Sequence, residues 1–308
     1  MKNVLIPFIA ILALLLAAVS ANSIKPSLRI SIPEMSSKHS NVSFTKISAK
    51  GGSKILIADI APTKNKKNIA ILICYPDSGN IQKWLGYGLM LAEMGYQAIM
   101  FDYRGFGGSD KFTIDKDTLY YDEFINDAQA AYGYMATTYP SYKKGLFGLS
   151  MGSIMASKLA LELKGDFLIA DSFVANIDEA ESRIEQITKR NIILPPSGYS
   201  YNDDIQYLNI PMLLFSGKYD TVCTASSLSR LSNQQTQIVV YNGGHLEGPQ
   251  SLNMAYFSRI DKFISKTLST QKTTNTAIPL QVGILAIILV LIAIKTGQSL
   301  VKKHSTTF

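Results

Sequence analysis

Gly148-Leu149-Ser150-Met151-Gly152 is the stretch on which the reading of this sequence turns. It fits G-x-S-x-G and lies between two segments of different character. Lys144 to Gly148 reads as a short strand. Met151 to Lys164 reads as a helix stopped by Gly165. In that setting a glycine on each side lets the helix cross close to the strand, and the serine is forced into a tight, strained turn. The helix start then aims backbone N–H groups, and its positive end, at a negative charge developing beside the serine. Ser150 is therefore the candidate nucleophile, and the Met151 amide a candidate donor to an oxyanion. The plainer alternative is an ordinary turn whose serine caps the helix.

Outward from this turn the chain alternates strand and helix. Short apolar runs at Ile55 to Ile60, Ile69 to Tyr75, Tyr96 to Phe101, Phe167 to Ala170, Met212 to Phe215 and Ile238 to Tyr241 read as strands. Between them, Ile81 to Gly95, Tyr121 to Thr138 and Leu252 to Lys266 have helical spacing, as Leu85, Leu89 and Leu91 show in the first. Strands that are apolar throughout and separated by helices predict an α/β fold: a mostly parallel sheet covered on both faces. In such sheets the reactive groups collect at the carboxyl ends of the strands.

A serine hydroxyl needs a base to attack at neutral pH. Of the three histidines, His39 lies near the N-terminal segment and His304 in the tail, whereas His245 follows a strand in Gly243-Gly244-His245. Asp220, in Gly217-Lys218-Tyr219-Asp220, also follows a strand and precedes the histidine, so it is the candidate acid that orients the imidazole. Asp171 and Asp178, which follow the strand after the nucleophile helix, stand as alternatives for that role.

The order Ser150, Asp220, His245, with GLSMG, GKYD and GGH, resembles the α/β-hydrolase superfamily. Asp102-Tyr103-Arg104-Gly105-Phe106-Gly107-Gly108-Ser109 is similar to a turn of one short-capped branch that includes membrane-associated esterases, monoacylglycerol lipases and acyl-protein thioesterases. The likeness spans roughly Ser43 to Lys266. It implies an eight-stranded, mostly parallel sheet with helices on both faces and a small helical cap. It also implies a second oxyanion donor after the third strand, where family members carry His-Gly. Here the chain reads Tyr75-Pro76-Asp77-Ser78-Gly79-Asn80. Proline has no N–H, so the donor falls to the Asp77 amide. An ionised carboxylate there would oppose an oxyanion, unless Asp77 or Ser78 caps the helix starting near Ile81 and points away. Asp102 and Arg104 are expected to brace the loop beside the site.

The resulting organisation is a signal peptide or N-terminal membrane anchor over 1–21, a linker over 22–42 and a hydrolase domain over 43–267, with its cap at about 172–208. A polar linker over 268–276, a transmembrane helix over 277–294 and a basic tail over 295–308 follow. In the cap, Ile177 to Ile193 reads as a helix ended by Pro195-Pro196. The run Asn191-Ile192-Ile193-Leu194 is expected either to line an acyl pocket or to pack against the sheet. Lys2 at one end, with Lys295, Lys302 and Lys303 at the other, favours a catalytic domain on the extracytoplasmic (periplasmic or lumenal) side of a membrane.

The net charge is +7 with no basic motif that reads bases, so no nucleic-acid partner is expected. Cys74 and Cys223 sit near the ends of apolar runs and lack metal-ligand spacing. No metal or cofactor is expected. The expected reaction is hydrolysis of a small-molecule acyl ester or thioester through an acyl-enzyme on Ser150. The alternatives are a serine peptidase on the same fold and a catalytically inactive, membrane-tethered homologue acting as a binding protein.

Overall fold

The structure is a computed structural model that describes residues 24–231 and 235–270. The membrane segments expected over 1–21 and 277–294 lie outside the described residues. Among the described residues no helix is long and apolar enough to cross a membrane. The described residues up to Asp261 form one compact unit; a second unit begins at Lys262, and its described residues, 262–270, are helical.

The first unit is built in chain order from β1 (Lys25–Pro26), α1 (Ile32–Lys38), β2 (Val42–Ser48), β3 (Lys54–Ile60), β4 (Ile69–Cys74), β5 (Ser78–Gly79) and α2 (Ile81–Glu93). Then come β6 (Gln97–Phe101), α3 (Asp122–Thr138), β7 (Lys143–Leu149), α4 (Met151–Leu163), β8 (Phe167–Asp171), α5 (Ile177–Thr188), β9 (Met212–Gly217) and β10 (Thr236–Tyr241). The main sheet has eight strands in the order β10-β9-β8-β7-β4-β6-β3-β2. β2 and β3 run antiparallel to their neighbours, and the other pairings are parallel.

The strand sequences explain the layering. β4 reads Ile-Ala-Ile-Leu-Ile-Cys and is buried at every position, as are β6 and β8. Side chains on both faces of a strand must therefore be apolar, which requires helices on both sides. β10, at the edge, leaves Ile238 and Val240 exposed.

The chain passes from β4 to β6 on one side and then crosses to β7 on the other side of β4. The carboxyl ends of β4 and β7 thus flank the place where strand order reverses, and loops leaving them diverge to open a crevice.

Several elements differ from the sequence expectations. Residues 25–38, expected as linker, contain β1 and α1, and β1 pairs in parallel with β5 through Lys25 N to Asp77 O and Ser27 N to Gly79 O, each 2.8 Å. The closing helix starts later than Leu252. A short helix at Gly248–Leu252 ends where Asn253 takes φ +50°, and helical residues resume at 254. In the cap, α5 stops at Thr188, where Lys189 takes a left-handed conformation. Asn191 to Leu194 does not line the cavity. Ile193 pairs instead with the segment before α3, its N–H donating to Asp117 O and its carbonyl accepting from Leu119 N, while Ile192 and Leu194 are buried.

Candidate active site

Ser150 sits between β7 and α4 with φ +50° and ψ −119°, a conformation a non-glycine residue adopts only when its surroundings impose it. The two flanking glycines are what permit the turn. A Cβ on Gly152 would lie 1.9 Å from the Cys74 carbonyl oxygen, and one on Gly148 would lie 2.4 Å from Ser153 Cα. Backbone from β4 and α4 occupies the space a side chain would need. The Ser150 N–H donates to Asp171 O at 3.0 Å, so the nucleophile's backbone is tied to the end of β8.

His245 Nε2 lies 2.8 Å from Ser150 Oγ, and His245 Nδ1 lies 2.9 Å from Asp220 Oδ2. Asp220 is 4% exposed, and its other oxygen accepts from the N–H groups of Val222 (2.9 Å) and Cys223 (2.8 Å). With Asp220 ionised it can only accept, so Nδ1 carries the proton and Nε2 is free to accept from the serine hydroxyl. Neither alternative acid reaches the ring. Asp171 is bonded to the Tyr241 hydroxyl (2.9 Å), and Asp178 accepts from Asn202 (2.9 Å).

The end of β8 nonetheless matters to the loop carrying His245. The Tyr241 hydroxyl lies within hydrogen-bonding distance of both Asp171 Oδ1 and Gly244 O, and the Leu246 N–H donates to Ser172 Oγ at 2.9 Å. The imidazole is thus anchored from both sides by Asp171, which does not serve as the triad acid, and by Tyr241 and Ser172, which no motif marks.

Burial alone would raise the Asp220 carboxyl and depress the His245 imidazolium. The hydrogen bond and opposite charge between them reverse both effects. Asp220 ends below its ordinary value, helped by the Cys223 and Val222 amides. His245 ends above 6.5, helped by the charges of Asp77 and Asp171. The imidazole can accept a proton only when neutral, so turnover is expected to fall as the pH drops through a midpoint above 6.5. A rate profile of the wild type whose acid limb has its midpoint below 6.5 would contradict this arrangement.

The Met151 N–H, first in α4, and the Asp77 N–H have no acceptor in another residue among the described residues. Asp77 does not cap α2. Asn80 does, accepting from Lys83 N at 3.1 Å while its amide nitrogen donates to Ser27 O and Arg29 O. The Asp77 carboxyl instead borders the crevice, half-buried. Burial pushes it up to about 6 against the pull of His245, its own N–H, Lys83 and Lys25. Asp102 braces this loop. It accepts from the Tyr75 hydroxyl (3.0 Å) and from the N–H groups of Ile81 (2.7 Å) and Gly108 (2.8 Å).

Ser150, Met151, His245 and Asp77 open onto a crevice of about 910 Å³. Its walls are largely apolar, with Trp84, Tyr87 and Met90 from α2, Ile154 from α4 and Ile184 from α5. Asp220, Cys223 and His245 bring potential metal-ligand atoms within 4.8 Å of one another. This donor set suits a metal poorly, because Asp220 and Nδ1 already bond each other and burial pushes the Cys223 thiol well up, keeping it protonated.

Residues 80–175 match the sequence model of the family described as serine aminopeptidase, S33. No curated protein matches the chain. Among solved structures, the chain is similar to an esterase from Pyrococcus furiosus, with TM-score 0.63 and 19% identity over 79% of this chain and 98% of that one. It is also similar to an esterase from Thermogutta terrifontis (TM-score 0.52, 18% identity, 73% and 99% covered). An alpha-beta serine hydrolase homologue from Coxiella burnetii is comparable (TM-score 0.52, 17% identity, 73% and 97% covered). At these identities the likeness establishes the fold, and the chain has the α/β-hydrolase fold.

Proposed function

We propose that this chain is a serine hydrolase that cleaves carboxylic ester or thioester bonds of acyl, lipid-like substrates through an acyl-enzyme on Ser150. One observation carries the reading: an unbroken relay from Ser150 Oγ through His245 to buried Asp220, at 2.8 and 2.9 Å, opening onto an apolar crevice. His245 takes the serine proton as Oγ attacks the acyl carbonyl. In this reading the Met151 and Asp77 N–H groups hold the oxyanion, and Asp220 stabilises the imidazolium. His245 then gives its proton to the departing alcohol or thiol. A water molecule, deprotonated by the same imidazole, hydrolyses the acyl-serine.

The apolar walls support an acyl chain as the group bound beside the serine. The apolar stretches over 4–21 and 277–294 support a membrane-tethered hydrolase with its domain on the extracytoplasmic side. A peptidase would be recognised by peptide turnover without ester turnover.

The substrate class is tested with chromogenic esters of rising acyl length. Each added methylene buried in the crevice is worth about 0.8 kcal/mol, roughly a fourfold gain in kcat/KM, until the crevice is filled. A steady fall beyond acetyl-length chains would remove the lipid-like substrate from the reading.

A further inference from the structure

The crevice holds one group that the proposed mechanism has no use for, the Asp77 carboxyl. It borders the same space as Ser150 and His245 and is near enough to the imidazole for the two charges to influence each other. Among the described residues it makes no ion pair, and the one donor it has is its own backbone N–H. Once an oxyanion takes that N–H, the carboxylate is left without a donor in a largely apolar-walled cavity, and the oxyanion beside it makes this doubly unfavourable. Both penalties shrink when a bound molecule supplies the missing donor. We propose that Asp77 is a specificity-determining residue that selects acyl groups bearing a hydroxyl on the first or second carbon from the scissile carbonyl.

The position of the hydroxyl follows from covalent geometry. The N–H proposed to hold the carbonyl oxygen and the carboxyl in question belong to the same residue, and that carboxyl is turned toward its own amide. A carbonyl oxygen held at about 3 Å from Asp77 N leaves the carboxylate in reach of a substituent one or two carbons away, and of nothing much farther. The charges around it favour a neutral donor. Lys25 and Lys83 border the same crevice, so an ammonium group would meet two like charges that a hydroxyl does not. The hydroxyl proton would also lie between the carboxylate and the developing oxyanion. Beyond the hydroxyl, the walls from α2 and α4 take the rest of the chain.

The inference rests on the hydrolase reading, and the test separates the two. The full chain is assayed on 4-nitrophenyl octanoate and its 2-hydroxy, 3-hydroxy and 2-amino counterparts. Each kcat/KM is divided by the rate of hydroxide-catalysed hydrolysis, because a 2-substituent activates the carbonyl by itself. At least one hydroxy ester is expected to exceed octanoate by about tenfold or more in the wild type, the usual worth of a hydrogen bond to a charged group. In Asp77→Ala the ratio is expected to approach one, with octanoate turnover rising. Asp77→Asn is expected to fall between, and it carries the test if the alanine variant does not fold by circular dichroism. No hydroxyl preference in the wild type, a preference undiminished in the folded variants, or an amino ester faster than both hydroxy esters would overturn the proposal. If the wild type turns over octanoate and Ser150 reacts with a phosphonate, such a result strikes Asp77's role alone. If neither occurs, the hydrolase reading itself fails.

Discussion

Ser150→Ala is expected to abolish covalent labelling by a fluorophosphonate and to lower ester kcat/KM by about 10⁴-fold or more, the scale on which loss of a nucleophile is felt in serine hydrolases. In the probe reaction Ser150 Oγ bonds to phosphorus, fluoride leaves, and the proton passes to His245. Labelling therefore reports the hydroxyl, the imidazole and their contact together. His245→Ala should lose a similar factor. The double variant should lose little more, because either side chain is idle without the other. The protein's fold should survive both changes. The turn around Ser150 is imposed by the backbone at Gly148 and Gly152 and by the Ser150 N–H bond to Asp171 O, not by the hydroxyl. Intact-mass spectrometry of the labelled protein and melting curves of the variants check the two halves. Wild-type protein that takes up no probe would favour a binding protein over an enzyme, and an alanine variant retaining a tenth of the activity would place the nucleophile elsewhere.

The features most legible in the sequence are those that chain connectivity alone enforces. Ser150, Asp220 and His245 each follow an apolar run, and in a parallel sheet the carboxyl ends of such runs share one edge. Their convergence on one imidazole is thus a consequence of topology. The boundaries of β4, β6, β7 and β9 fall within a few residues of the expected ones, because burial on both faces confines their polar residues to the strand ends. β2 went unread because it is an edge strand with only Val42 buried, so little of its sequence is apolar. β1 is two residues long and is held by backbone hydrogen bonds, which no side-chain pattern announces. Sequence does not single out Asn80 as the cap of α2, because the preceding Asp77 and Ser78 are equally good capping types. The deciding factor, the pull of the Ser27 and Arg29 carbonyls on the Asn80 amide, comes from a segment far away in sequence. The same remoteness hid the Tyr241 and Ser172 tethers of the His245 loop.

The same logic of remote support makes Arg104 the residue whose loss should damage the fold most. Its side chain is 6% exposed and faces Asp127 on α3, which is fully buried. Nη2 lies 2.7 Å from Oδ1, Nε lies 3.1 Å from each carboxylate oxygen, and the Arg104 backbone N–H donates to Oδ2 at 2.8 Å. A further bond from Nη2 to Lys50 O, 3.0 Å, ties the pair to the β2–β3 turn. Two charges withdrawn from water in this way gain little over a well-packed apolar pair, but removing one of them strands the other. Arg104→Ala strands the Asp127 carboxyl, which burial already pushes up even beside the guanidinium, so that it must stay charged unpaired or take up a proton, and leaves a void where the guanidinium lay. The expected loss is about 3–5 kcal/mol of unfolding free energy, which for a domain of this size lowers Tm by roughly 10 °C.

Asp127→Ala should cost a comparable amount, since it strands the guanidinium and also orphans the Arg104 N–H. The combined Arg104→Met, Asp127→Leu variant should recover most of the loss, because neither charge then remains to be solvated. That recovery distinguishes stranded charge from lost packing alone. If both single variants lose less than about 1 kcal/mol in urea titrations, or if the double apolar variant is worse than either, the pair is not what holds the turn. The effect on catalysis should be smaller than on stability. Arg104 touches no group in the crevice, and it acts on the site only through the turn that presents Asp102 to Tyr75, Ile81 and Gly108. Well below the lowered Tm, Arg104→Ala should keep Ser150 reactive toward the phosphonate while slackening the loop that carries the Asp77 amide, so kcat should fall more than the rate of labelling.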